Sequence, residues 1–286
     1  MATLPGRPLL NPAWNTRRLA PRLGVDVASA VTAGALTCPL ITIIDRAIME
    51  RASKGYPIRQ TVTSCLRSMV ARPGSFLAST PFLLIYTLYT STYLTANSID
   101  TLSSTLRDQP FSAVFAGPAK FLTTTIVNMG LCVYKDARFT KLFGASPPSS
   151  SHSAAATPQV PKTSYGLFCL RDSVTIFASF NIPPLIAHTI PDAVAPSEGM
   201  KAAMAQFACP ALMQFVSTPM HLLGLDLYNR QPAGGLPWQE RGARIRRDYV
   251  SSSFARMAKI VPAFGVGGVV NVRMRAGLMH WLEREA

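Results

Sequence analysis

Uncharged apolar runs alternate with basic intervals along the whole chain. Val27 to Ile44, Gly74 to Ile99, Ser173 to Pro191 and Ala202 to Leu225 contain no Asp, Glu, Lys or Arg, and Phe111 to Tyr134 has Lys120 as its single charge. A helix crossing a ~30 Å hydrocarbon core needs roughly 20 apolar residues, a length that four or five of these segments reach. A sixth run, Ile260 to Trp281, is interrupted by Arg273 and Arg275 close to its exit, where long cations extend to the headgroups. The pattern predicts an all-α integral membrane protein with six transmembrane helices, near 25–45, 73–98, 110–134, 172–191, 202–229 and 257–281. The connections between them read as polar, including a short second one over 97–109.

Within the apolar runs there is a faint internal echo. Phe115-Ala-Gly-Pro-Ala119 matches Phe207-Ala-Cys-Pro-Ala211 at four of five positions, and Gly130-Leu-Cys-Val-Tyr134 matches Gly224-Leu-Asp-Leu-Tyr228 at three of five. Such self-similarity constrains the architecture to repeated units.

Charge changes the picture next. The net charge of +14 would suit nucleic acid, but most Lys and Arg fall in the first, third and fifth connections rather than on one domain with exposed aromatics. That is the asymmetry of cationic loops held on one side of a membrane, and it argues against a nucleic-acid partner. The partners it implies are the bilayer itself and anionic lipids at the basic loops, of which Arg241 to Arg247 is the densest. Arg51 to Arg72, broken at Tyr56-Pro57, has Ile58, Val62, Leu66 and Met69 at helical spacing and predicts a short amphipathic helix on the membrane surface. Residues 1–24 form a basic, proline-rich arm without acids. Residues 144–164, rich in Ser, Pro and Ala, have the composition of a disordered connector that carries His152.

Few residues carry candidate chemistry. Cys38, Cys65, Cys132, Cys169 and Cys209 stand singly, without metal-ligand spacing, and read as small buried hydrophobes. No nucleophile set, metal spacing or phosphate loop is present, so no enzyme, metal or cofactor is expected, and Gly265-Val-Gly-Gly268 reads as a packing surface. Lys120, an ammonium inside an apolar run, is a functional candidate by its cost alone. With Asn128, Asn181 and Gln214 it supplies the few polar groups that could line a cavity and meet a small anionic or zwitterionic solute. Pro39 and Pro219 predict helix kinks. His221 reads as a packed histidine, and Asp226 with Arg230 closes the fifth segment.

Ser217-Thr-Pro219, Leu170-Arg171-Asp172 and Ala255-Arg256-Met-Ala-Lys-Ile-Val-Pro262-Ala carry a resemblance to the mitochondrial carrier family, spanning about residues 25–282. Arg72, Arg171 and Arg256 each lead into an even-numbered segment that contains a proline. The resemblance implies three pseudo-repeats, 25–108, 109–192 and 193–286, around a central cavity. It also implies basic loops facing the mitochondrial matrix and residence in the inner rather than the outer mitochondrial membrane. Departures mark a divergent or degenerate member: the position two after Pro39 is Ile41 and that after Pro219 is His221, where carriers keep an acid, and Tyr93 is followed by Leu94. The function implied is transport of a small solute. The alternative is a non-transporting carrier fold with a protein partner, acting in mitochondrial membrane dynamics, lipid handling or protein insertion.

Overall fold

The computed structural model describes residues 18–110, 114, 117–144, 160–231 and 235–284. Those residues form helices and no strand. The long ones are α1 (Leu19–Lys54), α4 (Thr80–Arg107), α5 (Gly117–Phe143), α6 (Lys162–Ile186) and α7 (Glu198–Asn229). A sixth rod is composite: α8 (Trp238–Ala258), a π-helical stretch over Val261–Gly268, and α9 (Val269–Arg284). The short α2 (Ile58–Ala71) and α3 (Pro73–Leu77) connect α1 to α4. Each rod packs on its sequence neighbour, and the composite rod returns to α1, so the six close into a ring.

The rods pack on one another through a buried apolar cluster that includes Ile41, Phe82, Ile85, Phe139, Phe168 and Leu225, while charged and polar groups are also held inside and further apolar side chains coat the outside. Leu36 and Leu40 on α1, Leu83 on α4, Ile126 on α5, Phe177 on α6, Leu212 on α7 and Val272 on α9 all point outward, whereas Asp26, Asp45, Lys135, Asp136, Arg171, Gln214 and Arg256 are buried. An apolar rim around a polar interior is what hydrocarbon demands. By length and composition α1 and the composite rod Trp238–Leu282 are candidate membrane spans. Several buried hydroxyls on α1 are satisfied within their own helix, as Ser29, Thr37, Thr42 and Ser53 donate to the carbonyls four residues back, the economy expected where water is absent.

Several boundaries depart from the sequence reading. α1 runs nine residues past Asp45, and α5 continues from Lys135 to Phe143, so the charged clusters expected at helix termini lie inside helices. The expected polar connection 97–109 is mostly the last three turns of α4, where Asn97, Thr101, Ser104 and Thr105 are buried against other rods. Pro81 sits in the first turn of α4, with Ser79 accepting from the Phe82 N–H as the cap, so it starts that helix rather than kinking it. Pro39 and Pro219 lie inside uninterrupted helices. A proline frees the carbonyl four residues earlier. For Pro219 that is Phe215, whose oxygen accepts from the Tyr249 hydroxyl at 3.1 Å.

Gly265–Gly268 falls in the π-helical stretch, where Tyr93 donates to the Ala263 carbonyl at 2.7 Å. Gly34 is a close-packing point as well, because a Cβ there would meet Thr90 and Tyr86 of α4. The amphipathic α2 begins one residue after Pro57, as predicted. Most of the arm 1–24 and of the connector 144–164, with His152, lies outside the described residues.

Candidate functional site

A cavity of about 200 Å³ lies within the ring. On α5 its lining residues Thr124, Asn128, Cys132 and Lys135 recur at three- and four-residue spacing, which places them on one helix face. The same spacing brings Arg171, Asp172, Thr175 and Ile176 from α6, and Arg256, Lys259 and Ile260 from the sixth rod. Asp45, Leu88, Tyr89, Thr92 and Gln214 complete the wall from α1, α4 and α7.

One end of the cavity is bounded by a continuous charged layer. Asp45 takes Lys135 on one oxygen at 2.8 Å and Lys259 on the other at 3.0 Å. Lys135 also meets Asp136 at 2.6 Å, and Asp136 meets Arg171 at 2.6 Å. Arg171 binds Asp172 Oδ1 through Nε and Nη2, donates to Cys132 Sγ, and stands 2.7 Å from His221 Nδ1. A guanidinium can only donate, so His221 Nδ1 is the acceptor. His221 is thus packed, tilted on Phe168, and gives Arg171 a neutral-type acceptor where the carrier pattern expects an acid. Cys132, Asp136 and Asp172 lie close enough to suggest a metal site, but each contacts the Arg171 guanidinium, so arginine is the cation they surround.

Towards the other end of the rods lies a second polar cluster. Asp26 accepts from Arg275 at 2.6 Å, Arg275 also reaches Thr101, and Asn97 and Asn271 exchange hydrogen bonds. Lys120 belongs here: its Nζ is 2.6 Å from Asp100, and it does not line the cavity. The cost of an ammonium in an apolar run is met by a carboxylate from the neighbouring rod.

The other candidates divide as follows. Asn128 and Gln214 line the cavity, Asn128 donating to Thr92 and Gln214 to the Pro210 carbonyl. Asn181 is in α6, and its side chain lies outside the described residues. Arg171 and Arg256 line the cavity, whereas Arg72 is exposed between α2 and α3. The even-helix arginine pattern therefore does not hold in the first hairpin, because the surface helix ends at Arg72 and α4 begins only at Thr80. Asp226 and Arg230 pair with each other, and Asp226 also takes Arg241 at 2.6 Å, which pins α8 to the end of α7 away from the cavity. Asp172 and Lys259 stand in the motifs of the carrier resemblance, and Asp45, Lys135 and Asp136 at the ends of the predicted spans, but the sequence does not mark any of the five as a cavity residue. Their signal is the adjacent acid–base pairs Asp45-Arg46, Lys135-Asp136 and Arg171-Asp172 at the inner ends of apolar runs.

Four cations (Lys135, Arg171, Arg256, Lys259) and two carboxylates (Asp45, Asp172) face this space. Asp45 is engaged on both oxygens and Asp172 through Oδ1 only; Asp172 Oδ2 has no hydrogen-bond partner among the described residues. Arg256, 4% exposed, donates from Nη2 to Ser217 at 3.3 Å, its Nε has no partner, and it forms no ion pair among the described residues.

A helical ring with an apolar rim, enclosing a small cavity of mixed charge, defines a membrane transport protein for a small solute. A family model described as "Probable citrulline exporter" matches residues 29–279, and the chain belongs to that family. This corrects the mitochondrial-carrier assignment. The motifs behind the resemblance are short apolar sequences with a proline and an arginine, which any kinked helix hairpin can supply, and the acid positions that would have been specific were absent. No curated protein and no solved structure matches the chain.

Proposed function

We propose that the protein exports citrulline, or a zwitterionic amino acid of similar size, across a membrane through the centre of the ring, and that all six rods cross the bilayer. The observation that carries the reading is a cavity whose wall brings together cations, the carboxylates of Asp45 and Asp172 and neutral hydrogen-bonding groups. Citrulline carries a carboxylate, an ammonium and an uncharged ureido group, and each has a counterpart in that wall. At about 200 Å³ the space lies below the ~300–1,000 Å³ typical of drug-sized ligands, which favours a metabolite of few heavy atoms. Outward-facing apolar side chains on every rod support six crossings. The family's description supports the outward direction.

Purified protein in liposomes loaded with radiolabelled citrulline tests this. Efflux above that of protein-free liposomes is expected; a folded, reconstituted protein that moves no citrulline in either direction would refute the reading. A mitochondrial location is a further proposal, resting on the basic, acid-free residues 1–24. Import of the full chain into isolated mitochondria tests it, and failure of import counts against it.

A further inference from the structure

Arg256 has no use in the static structure equal to its cost. A guanidinium buried away from water costs several kcal/mol unless paired, and the other three cavity cations each have a carboxylate: Lys135 and Lys259 share Asp45, and Arg171 has Asp136 and Asp172. Arg256 has a single 3.3 Å hydrogen bond to Ser217 and an unpartnered Nε. It lines the cavity wall, where a solute carboxylate would supply the missing counter-charge.

We infer that Arg256 is the anchor for the α-carboxylate of the transported solute, and that the same wall selects solutes whose side chain is uncharged. This rests on the reading of the protein as a carrier of zwitterions. The selection follows from counting partners. A bound zwitterion places its carboxylate on Arg256 and its ammonium beside Asp172, which lines the cavity and pairs with Arg171 alone where Asp45 already holds two lysines, after which no carboxylate on the wall is left for a further cation. A second positive charge, as on arginine, would lie among Lys135, Arg171, Arg256 and Lys259 without compensation, and at such distances like charges repel strongly in a low-dielectric interior. Citrulline differs from arginine by replacing the guanidinium with a neutral ureido group, which can hydrogen-bond to Asn128 on the cavity wall without that cost.

The test is competition against labelled citrulline in proteoliposomes by unlabelled citrulline, citrulline α-amide, which lacks the carboxylate, and arginine. In the wild-type protein the α-amide and arginine are each expected to compete about tenfold or more weakly than citrulline. Arg256→Gln is expected to transport weakly and to treat citrulline and its α-amide alike, while Arg256→Lys keeps part of the preference. Wild-type protein that accepts the α-amide as well as citrulline overturns the anchor without need of any variant, and so does Arg256→Gln with the wild-type ratio. Equal competition by arginine overturns the charge selection. Wild-type protein with no citrulline flux defeats the broader transport reading as well, whereas flux with an unchanged ratio in Arg256→Gln defeats the Arg256 assignment alone.

Discussion

Arg171 and Arg256 are buried arginines of the same cavity with opposite circumstances. Arg171 meets two carboxylates, an imidazole nitrogen and a thiol, so its removal leaves Asp172 without a cation among the described residues and Asp136 with Lys135 alone. Arg171→Gln is expected to destabilise the protein by ~3–5 kcal/mol, the usual cost of breaking a buried pair, read as a lowered melting temperature in detergent. Adding Asp172→Asn to it should cost less than the sum of the two single changes, because the second removes a charge the first has left alone. Gly267 tests close packing in the same way. A Cβ there would run into the Tyr93 hydroxyl and approach Thr37, so Gly267→Ala should cost ~1–3 kcal/mol by overpacking. Tyr93→Phe should recover part of that in the double variant, at the expense of the Ala263 hydrogen bond.

At the scale of elements, the arginine-rich α8 is held by its own protein more than by solvent. Arg244 donates to the Ala52 and Ser53 carbonyls at the end of α1, Asp248 takes both Arg51 and Arg247, and Asp226 takes Arg241. Asp248→Asn is expected to weaken this clasp by ~1.5–3 kcal/mol, as for hydrogen bonds to charged groups. Faster hydrogen exchange confined to α8 and the last turn of α1 would register it. Tyr249→Phe removes the donor that serves the carbonyl freed by Pro219 and should cost ~1–3 kcal/mol, whereas Tyr249→Phe combined with Pro219→Ala restores the ordinary helical bond and should cost less.

For the whole molecule, the Asp45–Lys135–Arg171 layer bounds one end of the cavity, and the chain's path sets its sides. Gln109, just beyond α4, and Gln231, just beyond α7, are exposed at opposite ends of the ring's rods. Single cysteines at these positions, in a background without the native five, should react with a membrane-impermeant maleimide from opposite faces of sealed vesicles if the rods span the bilayer. Labelling of both from one face would contradict six crossings.

The sequence alone determined the apolar rods, the basic polarity of alternate connections and the amphipathic α2, because these depend on local composition and period. It also marked Asn128 and Gln214, since polar residues in apolar runs are conspicuous without any partner in view. Pairing was beyond its reach. Lys120 and Lys135 look alike as cations in or beside apolar runs, yet one meets Asp100 and the other Asp45 and Asp136, and only the packing of neighbouring rods separates them. Arg256 was legible as an arginine before a proline. That it is the cavity cation without a carboxylate was decided by the tertiary structure, because an ion pair is a property of distances between helices, which residue spacing along one chain does not contain.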